Sequence, residues 1–400
     1  MKNGWKTEAL GDLCQFQRGL TYSKGDEVDV SDNVVLRATN IDLTTNLLTF
    51  DELKYINDKV VVPDSKKVKK GSLMICTASG SKSHLGKVAF IDHEYGYAFG
   101  GFMGMVTPKN ALLPKYLFHL MTSDAYKDFI GRVADGANIN NLKFDDLRQF
   151  QVPYPPLPEQ QRIVGILDEA FAGIATAKAN AEKNLLNARA LFENHLQSVF
   201  SQQGEGWVQK RLEQIGTTQT GSTPKTSDQS NYGDHIPFIK PADFNVDGSL
   251  DYDNDGLSDK GLVAGRRVAA KSVLMVCIGA TIGKCGYCDR EITTNQQINA
   301  LTPTDGSSHR FLHFQMLTGA FQRQVIHGSA QATLPIINKS KWSALPVWLP
   351  PTISDQIRIA GSLDVIAAET RRLESINQRK LAALEALKKS LLHDAFRGAL

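Results

Sequence analysis

The pattern PPLPEQQRIVGILD at Pro155–Asp168 returns as PPTISDQIRIAGSLD at Pro350–Asp364 with one residue inserted. Each copy opens a long stretch that reads as helix. In the first, nothing after Pro158 interrupts a helix except Gly165 and Gly173. Its apolar and small residues fall at Ile163, Leu167, Ala170, Ile174, Ala177, Ala181, Ala188 and Leu191, a spacing that lines one face of a helix packed lengthwise on a partner. Pro158 suits a first helical turn, and Glu159 suits the positive end of the helix dipole. About 42 residues at ~1.5 Å each make a rod of roughly 63 Å. The second copy supplies the partner, with Leu363, Ile366, Thr370, Leu373, Asn377, Lys380, Leu384, Leu387 and Leu391 continuing the stripe. Its three polar positions sit in the middle, where a polar contact would set register. Two helices of a larger bundle would satisfy the same spacing. The material between them favours a two-helix spacer.

That material repeats. Gly4-Trp5 recurs as Gly206-Trp207, and Gln17 and Gly19 as Gln219 and Gly221. Further on, Leu36–Ile41 resembles Ile239–Phe244, Leu73–Cys76 matches Leu274–Cys277, and Gly86-Lys87 matches Gly283-Lys284. Thr107-Pro108 meets Thr302-Pro303, and His195 meets His393. The order never breaks, so the chain is a duplication of one globular unit plus one long helix. Each unit, about 150 residues, is large enough for its own core. Short β-branched runs (Val34–Leu36, Leu73–Thr77, Val88–Ile91, Val273–Ile278) predict strands, and Lys115–Ile130 with its counterpart Arg310–Val325 predicts a helix. The expected fold class is α+β: two homologous mixed α/β domains separated by two long antiparallel, coiled-coil-like helices in a pseudo-two-fold repeat. The boundaries are 1–154, 155–203, 204–348 and 349–400.

Composition narrows the function. No apolar run is long enough for a bilayer, and the polar start Met1-Lys2-Asn3-Gly4-Trp5 is no signal peptide. Five scattered cysteines point to a reducing cytoplasm. The formal charge is only +3, with 23 Lys+Arg against 23 Asp+Glu in residues 1–202 and 22 against 19 in the remainder. Polyanion binding would therefore rest on patches. Two occupy equivalent places, Lys66-Lys67-Val68-Lys69-Lys70 and Arg266-Arg267 with Lys271. A solvated basic turn explains either alone; their recurrence favours phosphate contact.

Reacting groups are missing. GATIGKC (Gly279–Cys285) has one residue too few for a phosphate loop and no hydroxyl after Lys284. The calcium-like opening at Asp251–Gly256 meets Leu262 where a bidentate carboxylate belongs. Cys285 and Cys288 have only Cys277 nearby, fewer ligands than zinc takes, and Cys285 falls on Val88 in the repeat, which makes a buried thiol. FGGFMG (Phe99–Gly104) lacks the companions of a methyl-donor site, and His195 and His393 read as surface or capping residues. The residues describe a binding protein that needs no cofactor or metal.

The Gly-Trp openings, the PPLPEQQRI run into a long helix and the closing SLLHDAF (Ser390–Phe396) together resemble the specificity subunit of type I restriction–modification enzymes. GSTPK (Gly221–Lys225), PFIKPADF (Pro237–Phe244), GATIGK and NQQINAL (Asn295–Leu301) are similar to that family's second recognition domain; the first copy departs, with GLTYSK (Gly19–Lys24) and FGGFMGM (Phe99–Met105). The resemblance implies two target-recognition domains reading the two halves of a split, asymmetric duplex target. It also implies two modification subunits that hold the methyl donor, and restriction/translocase subunits. Polar side chains at matching places beside glycine turns are then the expected DNA contacts. In the first domain they are Thr21, Lys24, Arg37, Asn40, Asn138 and Asn140, with Lys67, Lys69 and Lys70 on phosphates. In the second they are Thr223, Lys225, Lys240, Asp243, Gln331 and Thr333, with Arg266 and Arg267 on phosphates. Turn or helix capping is the competing explanation for each Asn and Gln. A single-chain restriction or methyltransferase enzyme, and a tandem scaffold for proteins, are the alternative functions.

Overall fold

The computed structural model describes residues 4–80, 84–136, 141–329 and 334–400. The chain divides into two compact units, one of residues up to Ala181 with Arg379–Leu400, the other Glu182–Gln378. In the first unit an antiparallel sheet has the order Cys14–Arg18, Met103–Pro108, Leu73–Cys76, Val88–Phe90. Leu73–Cys76 is buried along its whole length, which is why its sequence LMIC shows no polar alternation. Leu73 and Ile75 face a core shared with the helices, while Met74 and Cys76 face Leu36 and Phe99 of a second sheet. That second sheet has the order Glu27–Val28, Lys54–Ile56, Asn33–Leu36, Ala98–Phe99, its last pair parallel. The layering is helix, sheet, sheet.

The second unit repeats the central sheet as Gly216–Thr220, Ile298–Pro303, Ser272–Val276, Cys285–Cys288. Correspondence reaches single hydrogen bonds: the hydroxyls of Ser72 and Thr107 meet at 2.8 Å, those of Ser272 and Thr302 at 2.7 Å. The residues just before, Gly71 and Lys271, both have positive φ (77° and 63°). The second sheet departs, with the order Gly256–Leu257, Tyr232–Ile239, Ile292–Thr294, Arg267–Val268.

Each helix expected from the sequence after the central sheet is in fact two: Pro114–Leu120 and Asp124–Gly136, then His309–Leu317 and Gly319–Gly328. Hydroxyls make the breaks. Ser123 Oγ donates to the Leu120 carbonyl at 2.6 Å; Thr318 Oγ1 donates to the Gln315 carbonyl at 2.7 Å and caps the next helix.

The long helices run Leu157–Ser201 and Ile353–Phe396. Within the first unit they lie antiparallel: Arg162 donates to the Leu400 carbonyl at 2.8 Å, and Lys178 pairs with Glu385 at 2.9 Å. Within the second, Arg189 pairs with Glu374 at 2.6 Å. The buried face keeps the seven-residue count through most of its length, at Leu167, Ile174, Ala181 and Ala188 in the first helix and at Gln356, Leu363, Thr370 and Asn377 in the second. Beyond these positions the count lapses: Leu191 and Leu387 are 61% and 47% exposed and Lys380 is exposed, whereas Phe192, Leu196 and Leu392 turn inward. Asn377 is buried, but its amide donates to Leu373 in its own helix and does not bridge to the partner.

The repeated Pro-Gln-Arg-Ile signature now has a physical reason. The first glutamine of each copy is buried and ties the helix start to its own domain. Gln160 accepts from the Leu113 N–H at 2.8 Å and donates to the Ala111 carbonyl; Gln356 accepts from the Ser308 N–H at 2.8 Å. Two turns further on, Asp168 meets Lys115 (2.5 Å) and His119 (2.9 Å), and Asp364 meets Arg310.

His313 occupies the position of Phe118 in the first repeat. It is buried against Tyr287, and neither ring nitrogen has a partner among the described residues. Burial, then the charge of Arg310, holds its pKa down to about 3. An unfolded histidine binds its proton near pH 6.5, and the folded one does not until far lower. Stability of the second unit is therefore lost as pH falls below about 6.5, by up to about 1.4 kcal/mol per pH unit. His313→Phe is expected to flatten the fall in thermal midpoint between about pH 6.5 and 4.5. An unchanged slope would assign the acid sensitivity to other groups.

Candidate nucleic-acid interface

In the first unit, the ends of four strands converge. Cys14–Arg18 leads into Gly19–Lys24, Asn33–Leu36 into Arg37, Leu73–Cys76 into Thr77-Ala78, and Ala98–Phe99 into Gly100-Gly101-Phe102. Backbone bonds lock these turns together. The Leu20 N–H donates to the Phe99 carbonyl (2.7 Å), Gly100 to Leu36 (2.9 Å), and Thr77 to Phe102 (2.9 Å). Gly19 must be glycine, because a Cβ there would stand 2.0 Å from the Gly100 carbonyl oxygen.

The second unit builds the same cluster from different residues. Ser222 donates to Thr294 (2.9 Å), Asn295 to Ile239 (3.1 Å), and a Cβ on Gly221 would come within 2.2 Å of the Asn295 carbonyl oxygen. Thr21 thus corresponds to Thr223, Arg37 to Lys240, and Gly100-Gly101-Phe102 to Asn295-Gln296-Gln297. The chain returning at Asn141 and Ile336 also ends here, through the Leu142 N–H on Thr77 and the Ile337 N–H on Cys277.

Thr21, Lys24 and Arg37 come together around one cavity of about 560 Å³. Thr223 and Lys225 are exposed at the equivalent edge, where Thr223 Oγ1 donates to Gln296. Lys240 is joined to Asp255 at 2.7 Å. Asn40 and Asp243 are a different matter: both are buried, and their side chains accept from the backbone N–H groups of Arg37 (2.8 Å) and Lys240 (2.7 Å). Asn40 also donates to the Thr49 and Glu52 carbonyls, and Asp243 accepts from Asn254. They cap a turn and present nothing to a ligand. Asn138, Asn140, Gln331 and Thr333 lie outside the described residues.

The basic patches divide. Lys66 and Arg266 each donate to a strand-end carbonyl, Arg18 (2.8 Å) and Thr220 (2.8 Å), and so brace the cluster. Lys67 pairs with Asp64 at 2.9 Å and Arg267 with Glu291 at 2.7 Å, both on the surface, where such pairs are worth at most about 1 kcal/mol and can be exchanged for phosphate. Lys69 and Lys70 precede the opposite end of Leu73–Cys76 and are not brought to the loops. Lys284 of GATIGK donates to the Pro241 carbonyl, and Asp255 of the calcium-like run is in its ion pair. All five cysteines are buried free thiols; burial pushes Cys277 up to about 12 and Cys288 up to about 11.

A family model for the type I restriction modification DNA specificity domain matches the chain twice, over residues 2–187 and 204–385. The chain belongs to the type I restriction–modification DNA specificity family. It is 24% identical over 444 residues to the StySPI specificity subunit of Salmonella potsdam, covering 100% of this chain and 90% of that one. It is also 30% identical over 186 residues to the EcoKI specificity subunit of Escherichia coli K12, covering 46% and 39%. Among solved structures it shares the fold of a chain from a type I R-M system (TM-score 0.78, 20% identity, covering 100% and 99%). It likewise shares that of the HsdS subunit of Thermoanaerobacter tengcongensis (TM-score 0.64, 19% identity, covering 100% and 98%). Membership places the chain among specificity subunits, not among single-chain restriction or methyltransferase enzymes. Phe102 is not among the contacts expected from the sequence, because those are all polar or charged side chains. Its signal was a large aromatic after two glycines, and it is 73% exposed.

Proposed function

We propose that the chain reads a bipartite, asymmetric duplex target, one half with each loop cluster, while scaffolding two modification (methyltransferase) subunits and restriction subunits that carry the catalysis. The observation that supports this is one loop scaffold built twice with different side chains at its tip: a pseudo-symmetric frame with unlike readers suits two unlike half-sites. Residues 1–154 and 204–348 are the two readers, and 155–203 and 349–400 the spacer. No helix among the described residues is long and apolar enough to cross a membrane, and we place the complex in the cytoplasm with DNA. Thr21, Lys24, Arg37, Thr223, Lys225 and Lys240 are the described candidates for base or backbone contact, joined by Asn138, Asn140, Gln331 and Thr333. Lys67, Arg266 and Arg267 face phosphates.

The test is competition binding by the assembled methyltransferase to its target and to single-base variants at fixed salt. Lys67→Ala is expected to weaken every duplex alike and to lower the salt slope by about 1. Gln331→Ala should relax discrimination at one position only, and the double Lys69→Ala, Lys70→Ala variant should change neither. Binding indifferent to base sequence would favour the protein scaffold instead.

A further inference from the structure

We infer that the cavity at the tip of the first domain is a guanine reader, with Arg37 as the base-edge donor and Phe102 as an apolar contact to the neighbouring base. The inference rests on the DNA-reading function proposed above. The cavity is walled by Thr21, Tyr22, Lys24, Glu27, Arg37 and Phe102. Its acidic member is committed, since Glu27 meets Lys54 at 2.5 Å. Arg37 is not: among the described residues its Nε is buried without a hydrogen-bond partner. No side-chain hydrogen bond or ion pair holds the rest of the guanidinium among the described residues, so its terminal nitrogens at the cavity are available to an acceptor pair. Guanine offers two acceptors, O6 and N7, on its major-groove edge; adenine replaces one with an amino donor that would oppose the guanidinium.

Phe102 supplies the second observation. It stands 73% exposed on a turn whose other members, Gly100 and Gly101, carry no side chain to shield it. An exposed phenyl at this place has an apolar partner in a thymine methyl or a base face. The second domain lacks both features. Lys240, in the place of Arg37, is held by Asp255 and lies 5.6 Å from the Phe238 ring centroid. Gln297, in the place of Phe102, accepts from Asn295 at 2.9 Å and donates to the Ile278 carbonyl at 3.5 Å. The two half-sites are therefore read by unlike devices on one frame.

The experiment uses the assembled methyltransferase and a target defined by its methylated positions, with every base pair of both half-sites varied singly in competition binding. Wild type is expected to prefer one G·C pair in the first half-site by about 10- to 100-fold. Arg37→Ala should cut that preference below about threefold, and Arg37→Lys should restore only part of it. Phe102→Ala should relax the adjacent position. Discrimination in the second half-site should be unchanged in all three, which also shows that the variants fold. A first half-site without guanine, or an Arg37→Ala variant that weakens all duplexes by one factor, overturns the inference. Loss of sequence discrimination by the wild type would instead overturn the proposed function.

Discussion

Adding four residues to each long helix at facing positions, beside Lys178 in one and Glu385 in the other, is expected to abolish methylation at the original target and to create it at one with a longer gap. The two positions are joined by an ion pair of 2.9 Å, so equal insertions keep the helices in register. Four residues are about one turn, ~6 Å, or roughly two base pairs at ~3.4 Å each. The bases of both half-sites should stay the same, because no loop of either tip cluster is touched. Sequencing methylated positions in cells expressing the variant with its modification subunits reads this directly. An unchanged gap would end the idea that the helices act as a ruler. Loss of all methylation with normal assembly would show that the methyltransferase tolerates only one spacing.

Exchanging residues 206–345 for the equivalent segment of a relative should replace one half-site completely and leave the other and the gap intact. The segment holds its own cores, around Val273 and Met275 on one face of the sheet and Leu274 and Val276 on the other. The exchange keeps Gln356 and Asp364, which dock the terminal helix, while their partners Ser308 and Arg310 come from the relative. The donor segment must therefore carry a cation at the place of Arg310. A change in both half-sites, read from the same methylation maps, would refute independent readers.

Much of this was legible in the chain itself. The duplication, the pairing of two long helices and the buried strands all follow from local pattern: apolar periodicity, glycine turns and an ordered set of repeated words. LMIC announces a strand buried on both faces because alternation disappears. Gly19 and Gly221 recur because only glycine lets the backbone reach the neighbouring carbonyl, within 2.0 and 2.2 Å of where a Cβ would stand.

The side-chain roles were not local. Asn40 and Asp243 look like readers on a loop, yet three-dimensional closure of the turn buries them as caps. Lys66-Lys67 and Lys69-Lys70 are adjacent in sequence, but the strand carries the second pair away from the tip. Arg37 and Phe102 are 65 positions apart and line one cavity only because Leu36 pairs in parallel with Phe99. Sequence by itself determined the long helices and the central strands, because those depend on neighbours a few residues away, and the repeat, because its words keep their order; the break inside each shorter helix escaped it. Which polar groups stay available to a ligand was decided by tertiary structure, because a side chain is free only after every distant backbone group has taken its hydrogen bond.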